Sequence, residues 1–135
     1  MTNGPNDGGQ SAIVLDASVL IAVLSQRDVH HERALAILES HARERFLAPA
    51  LTLAEALVGP ASRDQGAEAL EALERMGVET APESAPLPLA GLRAETRLRM
   101  PDVVVLLLAR RIRSPLATFD ARLRVVAGAL GVPTL

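Results

Sequence analysis

Residues 100–123, MPDVVVLLLARRIRSPLATFDARL, decide how the chain folds, because two aspartates stand in matched positions on either side of a deeply apolar segment. Asp102 precedes VVVLLLARR, a run too apolar to face water, while Asp120 follows the strand-like PLATF and precedes the amphipathic ARLRVVAGAL. The β-branched start of the first run favours a strand, whereas its length and its RR ending favour a buried helix. Both readings are open. If strand and helices pack as one unit, the two carboxylates meet at one end of a sheet.

Working upstream, LAGLRAETRL (89–98) is helical in pattern and brings Arg93, Arg97 and Arg99 up to the Met100-Pro101-Asp102 entry, where Pro101 is expected to end that helix. Further back, VETA (78–81) reads as a strand, and RDQGAEALEALERMG (63–77) as a long helix with solvated acids on its outer face. Residues 51–58 are helical until Gly59-Pro60, which is expected to stop them, and FLA (46–48) is compatible with another strand. Glu55 lies in that helix on a segment with little other polar surface, so its presence needs a reason. HHERALAILESHARER is an ordinary amphipathic helix, whose His30 and His31 read as solvent-exposed or capping side chains. AIVL (12–15) reads as a buried strand ending at Asp16, after which Ser18 opens the apolar helix VLIAVL. Downstream of Asp120, Gly131 stops the last helix and VPTL is expected to form a terminal edge strand. Strands alternating with helices at short spacing argue for an α/β domain with a mainly parallel sheet of four or five strands.

Composition narrows the chemistry. With 135 residues the chain suits one compact domain, and its longest apolar run falls far short of a membrane span. Residues 1–11, MTNGPNDGGQS, are expected to be a disordered tail without the apolar core of a signal peptide, and residues 12–135 to be the domain. A cytoplasmic location and no membrane contact follow as expectations. The absence of cysteine excludes disulfides, thiolate metal sites and cysteine nucleophiles, so any metal must be held by oxygen. All 14 basic residues are arginine, and without lysine neither a Walker A loop nor a Schiff-base enzyme can be built. Only Phe46 and Phe119 are aromatic, too few for the stacking platforms of many single-strand binders. The net charge of −2 divides into −7 over residues 1–89 and +5 over residues 90–135. A basic last third is compatible with a solvated helix face or with phosphate binding.

The acids gain meaning together. Asp16, Asp102 and Asp120 each stand before an apolar helix, and each alone reads as an N-cap. In a parallel sheet, however, the carboxyl ends of the strands share one edge, which puts Asp16 and Asp120 side by side with Asp102 in reach and Glu55 as the natural fourth. Four carboxylates sharing a dry site force protonation unless a cation compensates them, and hard Mg²⁺ or Mn²⁺ is the expected compensator. Such a site can activate a water against a phosphodiester, and the arginines beside it can neutralise the backbone of a bound strand. Arg93, Arg97, Arg99 and Arg122 are the candidates for holding RNA.

These segments resemble the PIN-domain ribonucleases, most closely the VapC-type toxins of bacterial toxin-antitoxin pairs. IVLDASVLIAVL resembles the family's opening strand, acid and helix; ALTLAEAL, LRMPDVVVLLLARR and PLATFDARL resemble its second, third and fourth motifs. The resemblance runs from about residue 12 to the end, and four weak motifs in the right order make it fairly specific. It implies a PIN-like parallel sheet flanked by helices, Mg²⁺- or Mn²⁺-dependent endoribonuclease activity, a homodimer, and inhibition by a cognate VapB-type antitoxin. Asp16, Glu55, Asp102 and Asp120 carry over as metal-coordinating catalytic residues. Ser18 and Thr118 carry over as supporting hydroxyls only, local capping being the expected role of Ser18. The chain departs from the family in VVVLLL after Asp102 and in Arg113-Ser114, where a glycine is common, and this bears on helix packing and the dimer face. The alternative is a catalytically inactive PIN-like module that binds another protein.

Overall fold

The computed structural model describes residues 11–135, so the expected tail at residues 1–11 falls almost wholly outside the described residues. Four strands, β1 (Ala12–Leu15), β2 (Arg45–Pro49), β3 (Val78–Ala81) and β4 (Leu116–Ala117), form one sheet in the order β3-β2-β1-β4. All three pairings are parallel. The expected terminal edge strand reduces to a single parallel bridge between Leu116 and Thr134, where the segment meets β4 through the amide of Leu116 on Pro133 and that of Leu135 on Leu116.

Side chains alternate across β1, and this divides the core into two layers. Ala12 and Val14 face a cluster that includes Leu92, Leu106 and Leu123. Ile13 and Leu15 face the opposite cluster, which includes Leu20, Leu38, Leu53 and Leu73. The first layer is built by α5 (Pro86–Thr96), α6 (Met100–Ile112) and α7 (Ala121–Ala129). The second is built by α1 (Ala17–Leu24), α2 (His31–Ser40), α3 (Ala50–Ser62) and α4 (Gly66–Arg75). A sheet covered on both faces accounts for four consecutive buried residues in β1.

The run after Asp102 is a helix. In α6, Val103 and the five residues from Val105 to Ala109 are all buried, so the helix is apolar nearly all round because it lies inside the core. Two boundaries differ from expectation for reasons of proline chemistry. Pro101 belongs to the first turn of α6, where its missing N–H costs nothing, and the preceding helix ends at Thr96 through Arg97 in the left-handed conformation. Pro60 does not stop α3, which continues to Ser62. It lies in the helix's last turn, which closes through the amides of Arg63 and Gln65 on its carbonyl. Likewise α5 starts three residues earlier than its apolar pattern, with proline in its first turn. Among the described residues no helix is long and apolar enough to cross a membrane.

Candidate active site

Parallel pairing of β1 with β4 sets Leu15 beside Ala117, so the residues that follow, Asp16 and Thr118, emerge together at the carboxyl edge of the sheet. The amide of Asp16 donates to the Ala117 carbonyl at 3.0 Å, extending the ladder to the point where the chain turns into α1. Asp16 is 6% exposed and Thr118 is fully buried, so both side chains must find partners inside the protein.

They find each other. Thr118 Oγ1 donates to Asp16 Oδ2 at 2.8 Å, and Ser18 Oγ, in the first turn of α1, donates to the same oxygen at 2.8 Å. Each hydroxyl then accepts a backbone amide: Ser18 from Phe119 and Thr118 from Asp120, both at 3.0 Å. With one proton apiece already committed to Asp16, the two hydroxyls have none left for their own 3.4 Å approach. Ser18 therefore holds Asp16 and the Phe119 amide, and it does not cap its own helix. Among the described residues Asp16 Oδ1 accepts no hydrogen bond, which leaves that oxygen available to a ligand.

The other acids arrive from three helices. Asp120 is the N-cap of α7 and its Oδ1 accepts the Leu123 amide at 3.0 Å, so here the capping expectation holds. Asp16 occupies the N-cap position of α1 without a side-chain capping bond, and Asp102 sits inside the first turn of α6 with Arg99 at the N-cap. Arg99 Nε stands 4.0 Å from Asp102 Oδ2. Glu55 projects from the border of the buried face of α3, between Thr52 and Ala56.

Their charges act on one another. Burial first, then the charges of Asp16 and Asp120, push the Asp102 carboxyl above its ordinary range, with Arg99 opposing and Glu55 adding. Glu55 is raised likewise by burial first and then by Asp16, again against Arg99. All four acids thus share one electrostatic field. Among the described residues, no three histidine or acidic side chains stand close enough together to grip one ion. By donor chemistry the set nevertheless suits a hard divalent cation, since every donor is a carboxylate oxygen and the mutual repulsion is what a cation relieves.

Of the four candidate arginines, Arg99 faces the acids, and Arg97 and Arg122 meet each other through an Arg122 Nη2 bond to the Arg97 carbonyl at 3.5 Å. Arg93 is exposed on α5, one turn from Arg97. Sequence reasoning missed three neighbours. The His30 ring stacks on Phe119 with centroids 4.3 Å apart and planes 13° from parallel, and Arg33 Cζ lies 5.9 Å from the Phe119 centroid. Arg124 donates from Nη2 to the carbonyls of Thr118 and Leu135, each at 2.8 Å, and from Nη1 to Thr134. The only sequence signal for these contacts was a phenylalanine set between two site residues, Thr118 and Asp120. His31, by contrast, points inward and its Nδ1 meets the Ala22 carbonyl at 2.7 Å.

No curated protein gives a significant sequence match. Solved structures do match over most of the chain. A toxin-antitoxin complex from Klebsiella pneumoniae is similar at 25% identity and a TM-score of 0.70, over 89% of this chain and 94% of that one. VapBC2 from Rickettsia felis, bound to a DNA fragment from its promoter, aligns at 14% identity and a TM-score of 0.69, over 92% and 97%. VapC20 from Mycobacterium tuberculosis, described as a sarcin-ricin loop cleaving toxin, aligns at 16% identity and a TM-score of 0.68, over 84% and 94%. These likenesses agree in fold, and a family model settles the relationship: residues 13–129 match the PIN domain, and the chain belongs to that family.

Proposed function

We propose that this protein is a Mg²⁺- or Mn²⁺-dependent endoribonuclease that serves as the toxin of a toxin-antitoxin pair. The observation that carries the reading is the shared field of Asp16, Glu55, Asp102 and Asp120 at the carboxyl edge of the sheet. Asp16, with Oδ2 fixed by two hydroxyls and Oδ1 unengaged, is the most rigidly held of the four and anchors the metal site. Asp102, Asp120 and Glu55 complete the ligand set. When bound, the cation lowers the pKa of water and stabilises charge on the scissile phosphodiester. Ser18 and Thr118 keep Asp16 oriented, and Arg99 tempers the repulsion around Asp102 while offering a guanidinium to the RNA backbone. Arg93, Arg97 and Arg122 extend that positive surface along α5 and α7. The toxin role and an antitoxin partner are supported by the likeness to the Klebsiella pneumoniae toxin-antitoxin complex, and a VapB-type antitoxin by the likeness to VapBC2 of Rickettsia felis. A homodimer is carried by the family resemblance of the sequence motifs alone.

The test is cleavage of RNA by purified protein with and without Mn²⁺, beside Asp102→Asn. Metal-dependent cleavage that vanishes in the variant is expected. Equal cleavage by parent and variant would overturn the assignment, and no cleavage by the parent would leave the inactive, protein-binding alternative.

A further inference from the structure

We propose that His30, Phe119 and Arg33 form a shelf that seats one nucleotide of a single-stranded RNA beside the carboxylates, an inference that rests on the nuclease reading and names where its substrate lies. Phe119 is pinned to the site: its amide is held by Ser18, the same hydroxyl that donates to Asp16. The start of α2 is pinned as well, since the His30 amide donates to Asp28 Oδ1 at 2.8 Å and the His31 ring is bonded to Ala22. The two rings are therefore preorganised, stacked at 4.3 Å and 13°. One face of His30 covers Phe119 and the residue is partly exposed, so a base that stacks on the other face would continue the stack. Arg33 is exposed and has no acidic partner within ion-pair distance among the described residues, which leaves its guanidinium available to the adjoining phosphate. A planar stacking face beside a guanidinium that has no acidic partner among the described residues matches a base and its phosphate. An acidic peptide would engage Arg33 and leave the ring stack unused. The shelf is carried by the start of α2 and by the residue between Thr118 and Asp120, whereas Arg99 comes from the turn between α5 and α6.

The test uses full-length protein carrying Asp102→Asn to suppress cleavage, and a labelled single-stranded oligoribonucleotide whose binding is followed by fluorescence anisotropy across a salt series. His30→Ala should weaken binding about tenfold, the size of one base stack, without changing the salt slope, and His30→Phe should restore affinity by restoring the stack. Arg33→Ala should flatten the slope by about 0.7, the change expected when one phosphate of a single strand is no longer neutralised. Thermal melts of each variant exclude unfolding as the cause. Binding by His30→Ala and Arg33→Ala indistinguishable from the Asp102→Asn background overturns the shelf, as does a loss of affinity for a cognate antitoxin alone. Metal-dependent cleavage by the parent is scored separately, so the nuclease reading can stand while the shelf falls.

Discussion

Thr118 Oγ1 donates to Asp16 Oδ2 at 2.8 Å across 102 positions of sequence, and Thr118 Oγ1 itself accepts the Asp120 amide at 3.0 Å. One buried hydroxyl thus joins the ends of β1 and β4 and orients two of the four acids. Thr118→Val keeps the shape but leaves the Asp120 amide and Asp16 each short of a partner, so it should cost about 1–3 kcal/mol in urea denaturation. It should also weaken Mn²⁺ binding in calorimetry. Thr118→Ser restores the hydroxyl and should recover most of both. Unchanged stability and metal affinity in the valine variant would show that the bond contributes nothing.

Metal addition should stabilise the folded protein, because a cation that binds only the assembled carboxylates shifts the unfolding equilibrium. At a Mn²⁺ concentration a hundred times the dissociation constant the gain is about 2.7 kcal/mol. A thermal melt with and without Mn²⁺ reads it. Asp16→Asn should abolish the shift, since it removes the best-anchored ligand. A melting temperature indifferent to Mn²⁺ in the parent would count against a metal site.

The metal-free protein should lose stability as pH rises from the acid side through the carboxylate range. Asp102 and Glu55 have folded-state pKa values above their ordinary ones, so the folded state holds these protons more tightly than the unfolded chain does. The cost of ionising them is absent below about pH 4, grows as pH climbs from the unfolded to the raised folded value, and is complete above it. Glu79 opposes this trend, because its hydrogen bond from Arg45 holds its carboxyl low, and the contribution of that exposed pair is full above the ordinary carboxylate range and is lost as pH falls through the lowered value. Subtracting the denaturation profile of Asp102→Asn from that of the parent isolates Asp102. The variant should be the more stable at neutral pH, and a difference that does not grow with pH would contradict the burial and repulsion assigned to it.

Much of this arrangement was legible in the sequence because it depends on local pattern. Continuous apolar residues in AIVL announced a strand buried on both faces, and an acid at the end of a strand announced the sheet edge. Boundaries set by proline were less legible: Pro60 and Pro101 look like stops, yet Pro101 sits in a first turn, where a missing N–H costs nothing, and Pro60 sits in a last turn, where one amide bond is lost but the turn still closes on its carbonyl. Contacts joining distant segments were not legible at all. Nothing in HHER indicates that His30 will cover Phe119, because that depends on where α2 settles after packing Ala34 and Leu38 into the core. Ser18 was expected as a supporting hydroxyl or a local cap, but its partner amide at Phe119, 101 residues away, was not legible for a similar reason.

Thr52 should be a position where the protein can be made more stable. Its side chain is 1% exposed, and among the described residues its hydroxyl has no hydrogen-bond partner, although it lies one turn before Glu55. Burying a hydroxyl without a partner costs free energy that valine, of the same shape, does not incur. Thr52→Val should therefore raise the free energy of unfolding by about 1 kcal/mol. A lower denaturation midpoint would reveal a partner for the hydroxyl.

Arg124 is expected to matter to the site without a hydrogen bond to any of the four carboxylates. Its guanidinium joins the Thr118 carbonyl to Thr134 and to the carbonyl of Leu135, so it ties β4 to the segment that bridges onto it. A charged donor serving three acceptors in a half-buried position should be worth more than an exposed ion pair, and Arg124→Leu should cost about 2 kcal/mol. Lysine cannot fork across three acceptors, so Arg124→Lys should recover only part of that loss. Amide exchange of Leu116 and Leu135 should accelerate in the leucine variant, because the strand pairing they share loses its lateral support. Since Thr118 is held from behind by Arg124 and in turn holds Asp16, Mn²⁺ affinity should fall in parallel. A variant with unaltered exchange and unaltered metal binding would confine Arg124 to the surface.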